Sequence, residues 1–294
     1  MKNGYNIKFT AFANIFLIIE SITCAIPFLL LFTSSITEES TIIKNGYSLF
    51  PREFSLNAYR YLSGQANTIF RAYGITIAVT AVGTVIGLLV TTMLAYSLAQ
   101  RDLPGKSLLS FIVVFSMLFN GGLVSTYVWY TGTLHIKNTF FALLVPSLIT
   151  NGFLIMIATN YFRNSIPWEV LEAARVDGAN EFLIYFQIVV PFSKPILASI
   201  GLMQGIAYWN DWRNGLYYLT NPKLFNLQNI LNRILQQISF LSSGDAANVD
   251  FNGPLPGNSV RMAIAVIAVI PIIVIYPFFQ EQFAKGLTVG SVKG

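Results

Sequence analysis

The side chains that most often carry out chemistry are scarce in this chain of 294 residues, and they do not cluster. The single histidine, His135, has no acid or nucleophile close to it in sequence, and the single cysteine is Cys24. An intrachain disulfide is therefore impossible, clustered His/Cys metal chemistry is excluded, and no carboxylate pattern supports a metal site. No catalytic constellation is evident. The tail Gly286–Gly294 is rich in glycine but lacks the G-x-x-x-x-G-K-[ST] spacing and any following helix, so it is not a nucleotide phosphate loop. What the chain offers instead is binding chemistry. Tyr208, Trp209, Asn210, Asp211 and Trp212 set aromatic faces beside hydrogen-bonding groups, while Glu172, Ala173, Ala174, Arg175, Asp177 and Gly178 set charges and small side chains around one glycine.

The elements that must hold these residues follow from composition. Hydrophobic side chains make up 54% of the chain and charged ones 11%, against about a quarter charged in globular proteins. A water-soluble domain is ruled out, because much of the surface must face a bilayer. The net charge of +5 arises from thinly spread cations with no Lys/Arg run, so nucleic acid is not an expected partner. A spanning helix needs about 20 apolar residues to cross about 30 Å of hydrocarbon. Six stretches qualify: 11–33, 72–99, 108–128, 140–161, 195–208 with its aromatic extension, and 262–280. Irregular backbone cannot face lipid, so all six are expected to be helices of one all-α integral membrane domain covering 1–294.

The first stretch is too long for a signal peptide and lacks a small-x-small exit, so it should remain uncleaved. It contains Glu20 in mid-run, which costs roughly 3 kcal/mol on the insertion scale while about a dozen Leu, Ile and Phe residues return about 4 to 8. Insertion wins, and Glu20 is either a polar contact at the bundle interior or a carboxylate near the headgroups without a role. Six spans put both termini on one side. Lys2, Lys8, Arg101, Lys106, Arg163, Arg175, Lys194, Lys285 and Lys293 lie in the shorter segments, which the positive-inside rule places in the cytoplasm.

Residues 34–71 and 212–259 are then external loops. Within the second, Leu227, Ile230, Leu231, Ile234, Leu235 and Ile238 have the spacing of an amphipathic helix, suited to packing on the membrane domain or to docking an external partner. Residues 244–257 are turn-rich. The cytoplasmic connection 162–193 is different in kind, because a loop of about thirty residues is uncommon without structure of its own. Pro167 suits a helix first turn, Trp168–Val176 follows, Gly178 supplies a break, and a second helical stretch, Glu181 to Val190, ends at Pro191. An apolar ridge of Val170, Leu171, Ala174 and Val176 beside Glu172, Arg175 and Asp177 suits either a partner's groove or the headgroup layer.

Glu172-Ala173-Ala174, Gly178 four residues on, and then Ile188 and Pro191 resemble the EAA loop of ABC importer permeases, with Val190 in place of the usual Leu. The resemblance covers most of the chain and extends to Phe119–Leu123, Asn138-Thr139, Ile166-Pro167, Asp177–Ala179, Trp209–Trp212 and Lys285–Gly290. These segments are similar to binding-protein-dependent carbohydrate permeases, and the tail is similar to the lipoprotein-linked or YtcP-type subgroup of Gram-positive bacteria.

The resemblance implies a type I ABC importer permease fold in a bacterial plasma membrane, with both termini cytoplasmic. It implies pairing with a second, similar permease, two cytoplasmic ABC ATPases, and an external lipid-anchored sugar-binding protein that supplies most of the specificity. ATP and Mg would be bound by the ATPases and no cofactor by this chain, which would not itself be an enzyme. Glu172, Ala173, Ala174, Arg175, Asp177, Gly178, Ile188 and Pro191 would couple to the ATPase. Amino-acid or peptide import is the nearest alternative, because the EAA pattern is common to those permeases. A self-sufficient ion-coupled carrier would need inverted repeats that are not evident.

If the cargo is a carbohydrate, with an oligosaccharide expected, its path should show planar hydrogen-bonding groups and aromatic faces. Tyr208, Trp209, Asn210, Asp211 and Trp212 supply both, although an interfacial aromatic belt would also explain the rings. Asn120, Gly121 and Gly122 should break the third span, as a gate element or as a plain helix end. Asn151, Ser199 and Gln204 are further polar candidates, or interhelical glue.

Overall fold

The computed structural model describes residues 7–146, 148–242 and 257–288. Expectations for Lys2, Lys293, residues 244–256 and the tail residues Val289 and Gly290 lie outside them. Helices follow one another as α1 (Ile7–Ser35), α2 (Glu39–Asn45), α3 (Asn57–Ser63), α4 (Ala66–Ala99), α5 (Lys106–Leu118), α6 (Leu123–Val128), α7 (Phe141–Leu144) and α8 (Gly152–Ser165). Then come α9 (Trp168–Val176), α10 (Glu181–Ile184), α11 (Val190–Phe192), α12 (Lys194–Trp209), α13 (Arg213–Tyr218), α14 (Leu227–Ser242) and α15 (Asn258–Thr288). Short π-helical turns extend α6 and join α10 to α11. Among the described residues the one extended pairing is an isolated bridge between Thr37 and Phe54.

Three helices are long and apolar enough to cross a bilayer, Phe9–Ser35, Ala66–Ala99 and Asn258–Pro277. Two bent pairs bring the number to as many as five: α5 with the α6 segment, bent by 113°, and α10–α11 with α12, bent by 87°. Six uninterrupted spanning helices are therefore not observed. The expected span 140–161 is instead the four-residue α7, an irregular stretch around Pro146, and the 14-residue α8. Pro146 has no N–H to give a helix, and Asn151 stops the stretch by capping α8, its Oδ1 accepting from the Phe153 and Leu154 amides at 2.9 and 3.4 Å.

The chain divides into two compact units, Met1–Thr68 with Arg233–Ile272, and Ile69–Asn232 with Ile273–Gly294. In the first, α1 is apolar apart from a few polar side chains and exposed along most of its length, with Ser34 and Ser35 buried at its end, as suits a lipid-facing helix. Glu20 is exposed on it rather than turned into a bundle interior. Residues 34–71 are not a plain loop, since α2, α3 and the start of α4 occupy most of them. Glu39 of α2 caps α15: its carboxylate accepts from the Asn258 and Ser259 amides at 2.7 and 2.8 Å, satisfying two of that helix's orphan N–H groups.

The second unit is organised around a notch in α4. Gly83 and Gly87, one turn apart, receive the Tyr208 ring and the Gln204 amide of α12. A Cβ on Gly83 would lie 2.4 Å from Tyr208 Cζ, and one on Gly87 would lie 1.9 Å from Gln204 Nε2. The two side chains that fill the notch also repair the irregular stretch. Tyr208 Oη donates to Leu144 O at 2.9 Å, Gln204 Nε2 donates to Leu148 O at 3.2 Å, and Asn214 Nδ2 donates to Pro146 O at 3.0 Å. Unwound backbone among apolar helices needs such partners, because each unpaired carbonyl there costs several kcal/mol, of order 1 to 3 by mutational measure.

Candidate functional site

Two polar regions of the second unit hold the residues singled out by sequence. The first is the α9 loop. α9 ends in a Schellman motif: Ala179 N–H donates to Ala174 O and Gly178 N–H to Arg175 O, both at 3.0 Å, with Gly178 at φ 84°. Left-handed backbone there favours glycine, which accounts for the break after Asp177. Asn180 Oδ1 then accepts the Leu183 amide at 2.8 Å and starts α10.

Arg175 braces this loop from within. Its Nε donates to Glu181 Oε1 at 2.8 Å and its Nη2 to Gln100 Oε1 at 2.7 Å, while Tyr96 Oη donates to the second Glu181 oxygen at 2.5 Å. The Glu181 carboxylate raises the already high Arg175 pKa, so the arginine charge is fixed. Trp168 Nε1 donates to Glu172 Oε1 one turn later, and the Trp168 ring lies 5.0 Å from both the Arg101 and the Arg175 guanidinium carbons.

The expected apolar ridge of α9 does not form on one face. Leu171 is buried and Ala174 packs beside it in a core shared with Ala95, Ile155, Phe162, Ile184, Val189 and Ile200, whereas Val176 is 86% exposed. Successive helical residues are about 100° apart, so the face claimed by Leu171 and Ala174 excludes Val170 and Val176. The outward face consists of Glu172, Ala173, Val176 and Asp177. Ile188 packs against the same core from the π-helical turn, and Pro191 is exposed in α11. Glu181, Tyr96 and Gln100 were not anticipated by sequence. Glu181 lies just past the glycine turn and could have been proposed as the Arg175 partner, but Tyr96 and Gln100 stand on α4 or at its end, far away in the chain.

The second region is a cavity of about 610 Å3 where the break between α5 and α6 meets the turn between α12 and α13. Asn120, Gly122, Asn210, Asp211 and Trp212 line it, together with Arg213, Asn214 and Tyr217, which sequence reading did not single out although they directly follow Trp212 or stand one turn on. Asp211 Oδ1 accepts the Asn214 amide at 3.2 Å, and Oδ2 is buried with no hydrogen-bond partner. Burial pushes the Asp211 carboxyl up to about 6, against the pull of the Asn214 and Arg213 amides. Asn210 Oδ1 accepts from Gln228 Nε2 at 3.3 Å.

The other expected path residues are placed elsewhere. Gln204 and Tyr208 are buried and committed to backbone carbonyls, Asn151 caps α8, and Ser199 is buried with its hydroxyl donating to Pro195 O at 3.0 Å. Trp209 is buried, 6.3 Å from the Tyr73 ring. Gly121 belongs to the α5–α6 break, and the amide of its neighbour Gly122 donates to Asn120 Oδ1 at 2.9 Å.

The described residues are mostly helical, with bent spans, a helix–glycine turn–helix loop packed on the core and a polar cavity near a span break, an architecture that suits a membrane permease. Residues 83–289 match the binding-protein-dependent transport system inner membrane component family, and the chain belongs to it. It is 35% identical over 279 residues to the polygalacturonan/rhamnogalacturonan transport system permease protein YtcP of Bacillus subtilis, covering 95% of this chain and 96% of that one. Protein LplC of Bacillus subtilis is 37% identical over 271 residues, covering 92% and 89%. Among solved structures, a bacterial ABC transporter involved in import of the acidic polysaccharide alginate superposes with a TM-score of 0.77 at 26% identity, covering 96% of this chain and 99% of that one.

Proposed function

We propose that this chain is the membrane-spanning permease subunit of an ATP-driven carbohydrate importer, with oligosaccharides as the substrate class. The observation that carries this reading is the seating of α9. Leu171 and Ile184 on either side of the glycine turn share one core with α4, α8 and α12, so force applied to the exposed Glu172 and Ala173 face reaches the spans as a rigid-body displacement. Two cytoplasmic ABC ATPases supply that force and hold ATP and Mg. A second, similar permease completes the path, and an external lipid-anchored sugar-binding protein delivers cargo.

The subunit lies in the bacterial plasma membrane with both termini in the cytoplasm. The polygalacturonan and rhamnogalacturonan named for YtcP, and the alginate named for the superposed transporter, support carbohydrate over amino acids or peptides. Asp211, Asn210, Asn120 and Trp212 form the sugar-facing wall of the path: the open Asp211 oxygen accepts a hydroxyl and the indole covers a ring face.

The test is transport by the assembled importer in proteoliposomes. Gly178→Pro or Glu172→Lys leaves the subunit in the membrane and ATP hydrolysis measurable, but abolishes uptake of the oligosaccharide presented by the binding protein. Full uptake with unchanged coupling in both variants overturns the role given to α9.

A further inference from the structure

A second cavity, of about 260 Å3, opens behind the α9 loop, and its polar wall is made of donors. Arg101 follows α4, Lys106 opens α5, Arg163 stands on the last turns of α8, and Gln100 lies where α4 ends. Lys106 Nζ donates to Gln100 O at 2.5 Å and Arg163 Nη2 to Leu98 O at 2.7 Å. Each cation is thus held in place by a carbonyl at the α4 terminus and keeps further N–H groups to offer. Lys106 and Arg163 are close enough to repel one another.

Among the described residues no carboxylate lines this cavity to balance them. Asp102, on the same connection, is exposed and only partly offsets the charge at Lys106, and the Glu181 carboxylate is taken by Arg175 and Tyr96. Gln100 is spent inward: its Oε1 accepts from Arg175, and its buried Nε2 sits against the Tyr96 hydroxyl. The α5 N-terminus, capped by Gly105 with no side-chain acceptor, faces the same connection. The opposite wall is apolar, from Phe162, Ile166 and Leu171. Crowded cations at a helix N-terminus beside an apolar wall call for an oxyanion with several acceptors, and basic pockets between spanning helices are where phosphorylated headgroups bind.

We infer that this cavity binds a phosphate group, from an anionic phospholipid headgroup or from free phosphate, with Arg101, Lys106 and Arg163 as donors. An occupant there touches Trp168 and Leu171 and so stabilises the seat of α9, whichever sugar is carried.

The experiment uses the purified importer with its partner subunits in phosphatidylcholine nanodiscs. One arm replaces part of the lipid with phosphatidylglycerol; the other adds inorganic phosphate against chloride at equal ionic strength. A rise in Tm of about 3 °C in the first arm alone assigns the site to lipid, and in the second alone to free phosphate. In either case the rise must be lost in Lys106→Gln/Arg163→Gln and at least halved in Arg101→Gln. Arg101 has no backbone bond to lose, so it keeps the test open if the double variant does not fold. No rise in either arm, or an equal rise in the variants, overturns the proposal.

Discussion

At the α9 end of the second unit, Arg175, Glu181, Tyr96 and the Gln100 side-chain oxygen form a chain of hydrogen bonds across three segments, whereas the 610 Å3 cavity leaves one oxygen of Asp211 buried and unanswered. The first arrangement suits a lever, since paired polar groups and a buried Leu171 fix one geometry. The second suits a ligand, since a desolvated carboxylate oxygen is costly until a donor arrives. The notch between α4 and α12 lies behind both properties. It holds the irregular stretch near Pro146 in place, so the cavity can exist beside unwound backbone without exposing carbonyls to lipid.

The comparison breaks most severely at that notch. Gly87→Leu drives a side chain into Gln204 and is expected to cost about 3 kcal/mol or more, read as a large fall in the thermal midpoint and in folded yield from the membrane. Next is Tyr208→Phe, which leaves Leu144 O unpaired in an apolar interior at a cost of about 2 kcal/mol. Its checks are the same midpoint and faster amide exchange around residues 144–149.

Asp211→Asn sharpens the contrast. The folded-state carboxyl is raised from 3.8 to about 6, so the folded form binds its proton more tightly. The stability this contributes is complete below the unfolded value and is lost as pH rises through about 6. Above that, ionised Asp211 destabilises the free protein. The variant should therefore be more stable by ~1 to 2 kcal/mol at pH 7.5, with the gain vanishing near pH 4, while its oligosaccharide uptake falls at least tenfold. A variant that transports normally and shows no pH-dependent gain removes the carboxylate from the path.

The smallest effect belongs to the brace. A double-mutant cycle between Arg175→Met and Glu181→Gln should give a coupling of only ~0.5 to 1 kcal/mol, because the side chains are 30% and 54% exposed. The ratio of uptake to ATP hydrolysis should change more than stability does. A coupling near zero with that ratio unchanged makes the brace incidental.

Much of this was legible in one dimension. The glycine turn and the break at Asn120–Gly122 are local chemistry, set within a few residues; the caps by Asn151 and Asn180 are as local, yet the sequence reading made Asn151 a path candidate and did not single out Asn180. The α9 ridge was misread because periodicity says which residues share a face, but not which face the core claims. The expected span 140–161 failed for a related reason: its hydropathy is that of a helix, and only the donors of Gln204, Tyr208 and Asn214 make an unwound segment tolerable there. Glu20 shows the same limit, being charged in mid-run yet exposed on α1.

Sequence alone determined that the chain enters a bilayer and that a helix, a glycine turn and a second helix sit between two apolar segments. Those properties depend on side-chain type and on neighbours a few residues apart. Tertiary structure alone decided which polar groups are spent on backbone and which stay open, because the acceptors of Arg163, Arg175, Gln204 and Tyr208 lie more than fifty residues away or beyond a turn, and only folding brings them within 3 Å or so.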